Sequence, residues 1–208
     1  MAEQTRSTTG SIQDQLVERK IQELQQLYAG APELGRVALQ NGLPALKREL
    51  AAATGTQSAG RIGARQDRVS ELTGIIPFVE GGAQRLRGLL QLLEGNFQGA
   101  DAVGTVHDMR FVFLDNDTKL LFATAYDGEW DAYIDDFATK IPNALDLLFC
   151  NCVGYPGIHS PSVKDWIASH QVTAEAWYVA NPDLTVTETR RLKRIGKAVD
   201  EFLDKVSA

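Results

Sequence analysis

Apolar residues near the start of the chain recur every three to four positions. Ile12, Leu16, Val17, Ile21, Leu24, Leu27 and Tyr28 make one stripe, with Gln, Glu, Arg and Lys between them, which is the period of a helix with one apolar face. The spacing predicts an amphipathic helix over residues 11–28. More helix is expected over 33–53, broken and restarted at Asn41-Gly-Leu-Pro44, because Gly and then Pro interrupt the helical hydrogen-bond ladder. Residues 54–66 are rich in Gly and small polar residues and follow neither period, the pattern of a connector. The chain thus divides into a helical extension (1–55), a linker (56–67) and a domain (68–208).

Within that domain the period changes from segment to segment. Residues 69–79 read as a strand ending at Glu80-Gly-Gly, and 83–93 as a helix with Leu86, Leu89, Leu90 and Leu93 on one side. Two apolar runs, 105–114 and 119–126, flank Asp115-Asn-Asp-Thr118, a β-hairpin signal. Asp127 is placed to cap a helix over 129–140, in which Trp130, Tyr133, Ile134 and Phe137 fall at i, i+3, i+4 and i+7. The apolar run 147–153 reads as an extra strand. Ser160-Pro161 opens a helix over 162–170, and 176–180 reads as the last strand. Thr185-Val-Thr-Glu188 is a capping box opening a helix to about residue 206, with Leu192, Ile195, Val199, Phe202, Leu203 and Val206 expected to face inward. With the segment that carries Cys150 to His170 as an insertion, the order is that of an α+β, ferredoxin-like βαββαβ domain with an N-terminal helical extension and a C-terminal helix. Helices on one face of such a sheet leave the other face to be covered by something else.

Composition narrows the functional classes. Over 208 residues, 44% are hydrophobic and 23% charged, the balance of a globular protein. The net charge of −6 provides no global field for a polyanion, so nucleic acid is not an expected partner. The basic run Arg190-Arg191-x-Lys193-Arg194 reads as a solvated helix face. No stretch of 18 apolar residues occurs and the N-terminus has no apolar core segment, so no membrane span and a cytoplasmic location are expected. Cys150 and Cys152 are read as reduced neighbours on one strand face.

Four segments carry a family resemblance: His107-Asp-Met-Arg-Phe-Val-Phe-Leu, Leu121-Phe-Ala-Thr-Ala-Tyr-Asp-Gly-Glu-Trp-Asp-Ala-Tyr-Ile-Asp-Asp-Phe137, Cys152-Val-Gly-Tyr-Pro156 and Trp177-Tyr-Val-Ala-Asn-Pro182. Together they resemble largely uncharacterised bacterial proteins of the dimeric α+β barrel superfamily, some of which occur alongside haem peroxidase or cytochrome P450 modules. The resemblance covers roughly residues 69–183. It implies a homodimer pairing through its sheet, with a cavity that takes haem or a small apolar or aromatic ligand for oxidative chemistry. The superfamily also includes dye-decolorising peroxidases, chlorite dismutases and cofactor-free monooxygenases, so fold alone does not choose the reaction. The GxxDG motif of the dye-decolorising peroxidases has its nearest counterpart in Ala125-Tyr-Asp-Gly-Glu129, which lacks the first Gly.

Three histidines supply the candidate chemistry, and no HxxxH or HExxH spacing joins any pair into a metal site. His107 and Arg110, expected on a central strand facing the barrel interior, are the candidate acid/base and anion clamp. His159, in the loop Gly154-Tyr-Pro-Gly-Ile-His-Ser-Pro161, is the candidate cofactor ligand. His170 suits the negative end of its helix. Of the aromatic residues, Phe111, Phe113, Phe122, Tyr126, Trp130, Tyr155 and Trp177 are expected in the core, with lining of a ligand cavity as the alternative. The alternative to catalysis is an accessory module that dimerises and recruits a protein partner through residues 11–28.

Overall fold

The computed structural model describes residues 2–52, 55–94 and 96–207. It divides into two compact units, Met1–Gly55 and Thr56–Ala208.

The first unit is a helical hairpin: α1 (Ala2–Leu27), a 3-10 turn (Tyr28–Gly30) and α2 (Glu33–Ala52). Val17 and Ile21 are buried, and Lys47 pairs with Glu18 at 2.6 Å. The expected break at Asn41-Gly-Leu-Pro44 does not occur, because α2 runs through Pro44. Leu39, Leu43, Leu46 and Leu50 keep one helical stripe across the proline and all four are half-buried. Packing along that stripe offsets the donor that Pro44 removes.

In the second unit, β1 (Gln57–Ser58), β2 (Ala64–Gln66) and β3 (Val69–Pro77) lead to α3 (Gly82–Leu93), α4 (Gln98–Val103), β4 (Val106–Leu114) and β5 (Lys119–Asp127). Next come α5 (Trp130–Lys140), α6 (Pro142–Phe149), α7 (Val163–His170), β6 (Gln171–Val172) and α8 (Val186–Val206). This is a mixed α+β architecture around one antiparallel sheet, β1-β2-β3-β5-β4, with β6 on the same edge of β3 as β2.

Strand alternation sorts the residues of this sheet. Leu72, Ile76, Leu120, Phe122 and Tyr126 pack with Leu86 of α3, Trp130, Tyr133, Ile134 and Phe137 of α5, and Leu145 and Phe149 of α6. The Tyr126 and Tyr133 rings stack at 3.8 Å, and Tyr133 and Thr124 hydroxyls are 2.9 Å apart. The opposite face carries Val69, Glu71, Thr73 and Ile75 of β3, in register with Asp127, Ala125, Ala123 and Leu121 of β5. Ile75 and, on β4, Val112 are exposed there.

Several expectations are corrected. Residues 56–67 are not a linker: β1 and β2 join the sheet, turning at Gly60 and Gly63, both with positive φ. A Cβ at Gly63 would lie 2.6 Å from the Glu71 carbonyl oxygen, so only glycine lets the two backbones approach. Residues 147–153 are not a strand. The helix α6 extends to Phe149 with Pro142 in its first turn, where proline fits, and only Cys152 bridges to Phe78. The strand expected over 176–180 is absent; β6 lies earlier, at Gln171–Val172, pairing with Gly74 and Thr73. Asp127 does not cap α5, whose N-cap residue is Glu129.

The capping box of α8 is formed as expected, through Thr185 and Glu188. Its stripe does not face inward: Leu192, Ile195, Val199, Phe202, Leu203 and Val206 are all exposed. Among the described residues no helix is long and apolar enough to cross a membrane.

Candidate functional site

On the sheet face away from the helices lies a groove of about 410 Å³, lined by Glu71, Thr73, His107, Arg110, Ala123 and Trp177 among others. A groove of this size suits a small ligand. Its floor is made of small side chains at alternate positions of β5, Ala123 and Ala125, which leave space above the sheet. One wall is the irregular segment 174–180.

Glu71 pins that wall. It is buried, and its Oε1 accepts hydrogen bonds from the backbone N–H of Ala174 at 3.0 Å and of Ala64 at 3.2 Å. The Thr73 hydroxyl donates to Oε2 at 3.1 Å. A buried carboxylate is tolerated only when its oxygens are satisfied in this way, so Glu71 works as a staple between β2, β3 and the wall. The Gln66 side-chain amide adds a second tie, donating to the Trp177 carbonyl at 2.8 Å. Trp177 Nε1–H itself is buried without a partner among the described residues, an unused donor on a residue that lines the groove.

His107 stands where the β4–β5 register slips between Val106 and Asp108. It was expected on a central strand, but β4 is the outermost strand of the sheet. The strand after the first helix of a βαββ run pairs with the next strand, and that one fills the place beside β3. The slip gives His107 a position of its own outside the pleat. Its Nε2 lies 2.6 Å from Asp127 Oδ1, while Asp127 Oδ2 accepts the Val186 backbone N–H at 2.9 Å. Asp127 therefore does cap a helix, but α8 rather than α5, and it holds His107 at the same time. With the ring proton on Nε2 and donated to Asp127, Nδ1 carries the lone pair that can take a proton.

Arg110, two residues beyond Asp108 on the same face, is largely exposed and pairs with Asp108 at 3.3 Å. An exposed pair of this kind is weak, so the guanidinium remains available to an anionic group. No family model, curated protein or solved structure matches the chain.

His159 is exposed in its loop and is not among the residues lining the groove. The residues do not fit a haem. No described cavity opens at His159, and the Nε2 of His107 is taken by Asp127. The apolar cavity between sheet and helices is about 40 Å³, room for a water molecule. His170 closes α7 with Nδ1 2.8 Å from the Trp166 carbonyl, a helix-end contact. Cys150 is exposed and Cys152 buried, at the end of a helix and not on one strand face; burial, helped by the nearby Cys150, pushes the Cys152 thiol up to about 12. Phe111, Phe113, Phe122, Tyr126, Trp130 and Tyr155 belong to the core, and of the aromatic set only Trp177 lines the groove.

Sequence reasoning did not find Glu71, and it gave Asp127 a different task. The available signal for Glu71 was a charged residue between Ser70 and Leu72 inside an otherwise apolar strand. The partners of both acids lie far along the chain, which no local pattern reveals.

Proposed function

We propose that the unit Thr56–Ala208 is a ferredoxin-like domain that pairs through its bare sheet face with a second copy, as a dimeric α+β barrel. In this reading the groove between the sheet and segment 174–180 binds a small aromatic or apolar molecule carrying an anionic group. The order β6-β3-β5-β4, antiparallel throughout, supports the ferredoxin-like reading. Exposed Ile75 and Val112 beside the small Ala123 and Ala125 support burial of that face against a copy of itself.

The observation that carries the chemistry is the Asp127–His107 hydrogen bond at the groove. A histidine oriented by a carboxylate, with its other nitrogen free, is an acid/base group. Arg110 serves as the anion clamp, and the Trp177 side chain lines the groove beside it. The reaction supported is proton abstraction from the bound molecule. With dioxygen as the oxidant, the carbanion of an activated CH2 so formed is oxygenated to a carbonyl, one oxygen atom entering the ligand and the other leaving as water.

The test is histidine-selective NMR of the full chain against a library of phenols and aromatic carboxylates. Ligands are expected to shift the His107 ring signals, to lose affinity in Arg110→Ala, and to bind without turnover in His107→Gln. A library in which nothing moves the His107 signals or raises the melting temperature overturns the reading.

A second reading is a recruitment module, favoured by the exposure of Leu27 and Leu34 on the helical hairpin. Substituting both by Asp is expected to abolish capture of a protein partner while leaving ligand binding unchanged. Unchanged capture sinks this reading.

A further inference from the structure

Among the described residues the anchors of α8 lie in its first five residues and the cap before them. Val186 is buried, Thr185 and Glu188 form the capping box, Arg68 pairs with Glu188 at 3.0 Å, and Arg190 pairs with Asp101. Beyond them, Leu192, Ile195, Val199, Phe202 and Val206 recur at intervals of three and four, with Leu203 beside them, and all are exposed. That is a two-heptad a/d seam about 22 Å long, from the rise of a helix. An apolar face this regular, on a helix tied down at its start, needs a partner.

The charges identify the partner. Between Glu188 in the first turn and Lys205 in the last, a basic block of Arg190, Arg191, Lys193, Arg194 and Lys197 precedes an acidic block of Asp200, Glu201 and Asp204. The terminal turns themselves, with Glu188 and Lys205, suit the helix dipole, so the segregation along the seam has to be explained by a neighbour. An antiparallel neighbour of the same sequence sets its acidic block beside the basic block at both ends of the seam. A parallel neighbour would set bases against bases. An anionic lipid surface would attract the first half and repel the second.

We propose that α8 pairs antiparallel with α8 of a second copy of this chain, with Val199 of each copy at the two-fold axis and Leu192 of one beside Val206 of the other. Two heptads make a short interface, so the association is weak and concentration-dependent. It is a separate step from the sheet-face pairing proposed above, and each can fail without the other.

Sedimentation of the full chain over a micromolar concentration series tests it. Wild type is expected to associate, and Val199→Asp/Phe202→Asp to lose one association step with its circular dichroism unchanged apart from α8. The sheet-face variant Val112→Asp is expected to keep the α8 step.

Two charge-reversed variants follow, Arg191→Glu/Arg194→Glu/Lys197→Glu and Asp200→Lys/Glu201→Lys/Asp204→Lys. Each is expected to self-associate about tenfold more weakly or worse, and their equimolar mixture to recover. A spin label on Lys193→Cys, beside the seam, in a Cys150→Ser background, reads the direction: antiparallel pairing separates the two labels by roughly 18 Å along the axis. Short label distances overturn the antiparallel arrangement. An unchanged mass in the α8 variants overturns the pairing. So does α8 cross-linking to residues 12–52 of its own chain, or binding to anionic vesicles without self-association.

Discussion

In α5, Trp130, Tyr133, Ile134 and Phe137 recur on one helical face and all are buried; in α8, Leu192, Ile195, Val199 and Phe202 recur in the same manner and all are exposed. The two helices are attached differently. α5 follows β5 after only Gly128 and Glu129, so its start is fixed at the sheet and its stripe falls on Tyr126 and Phe122. α8 follows thirteen residues of irregular chain from 173 to 185 and is held by its cap. α8 too starts at the sheet, with its Val186 amide on Asp127, so an amphipathic stripe states that a helix has a face to bury and not what will cover it.

The largest break in the comparison comes from Trp130. Its ring is fully buried and its Nε1–H donates to Gln171 Oε1 at 2.7 Å. Trp130→Ala is expected to cost about 3–5 kcal/mol in denaturant unfolding, and a loss below 1 kcal/mol would show that α5 is not the keystone of the core.

Next comes alkali. Burial raises the phenols of Tyr126, Tyr133 and Tyr155 above their ordinary 10.0. These groups therefore contribute stability that is complete below pH 10 and is lost as the pH climbs, since the unfolded chain ionises first. The urea midpoint should fall from pH 10 upward, and less steeply in Tyr133→Phe. A flat profile contradicts this.

Thr185→Ala removes the cap of α8 at about 1 kcal/mol, measured by amide exchange over residues 187–190. Hydrogen bonds from the Thr185 backbone and hydroxyl, then the charge of Arg68, hold the Glu188 carboxyl below its ordinary 4.5. Its contribution is therefore present above pH 4.5 and disappears as the pH falls further. Protection of these amides should drop in acid, and protection independent of pH would refute the cap's role.

The smallest effect is expected at Leu192. Leu192→Ser should change the stability of the dilute, unassociated chain by no more than about 0.5 kcal/mol, and a larger loss would mean that the stripe is buried within its own chain.

What the residue pattern made legible was local. The hairpin from 105 to 126, the helices α3 and α5 and the Thr185 cap each follow from spacing within a dozen residues. The run Leu147-Leu-Phe-Cys-Asn-Cys152 reads as a strand by apolarity, yet Leu145, Leu148 and Phe149 sit at i, i+3 and i+4, and Pro142 starts their helix. The sequence placed His107 and Arg110 together, and both line the groove. The groove's closure was not legible. It depends on Glu71 reaching the Ala174 amide and on Asp127 reaching that of Val186, contacts across more than fifty residues, through a segment with no period.

β4 has no strand beyond it among the described residues, so a row of its amides and carbonyls is open to another chain, and Met109-Arg-Phe-Val-Phe-Leu114 is rich in the side chains that fibrils favour. The register slip at His107 bends one end of this edge, and Asp108 and Arg110 put charges beside it. The residues that furnish the groove are thus the same ones that interrupt this edge. Making this strand regular and neutral would leave a flat apolar edge open to edge-to-edge pairing.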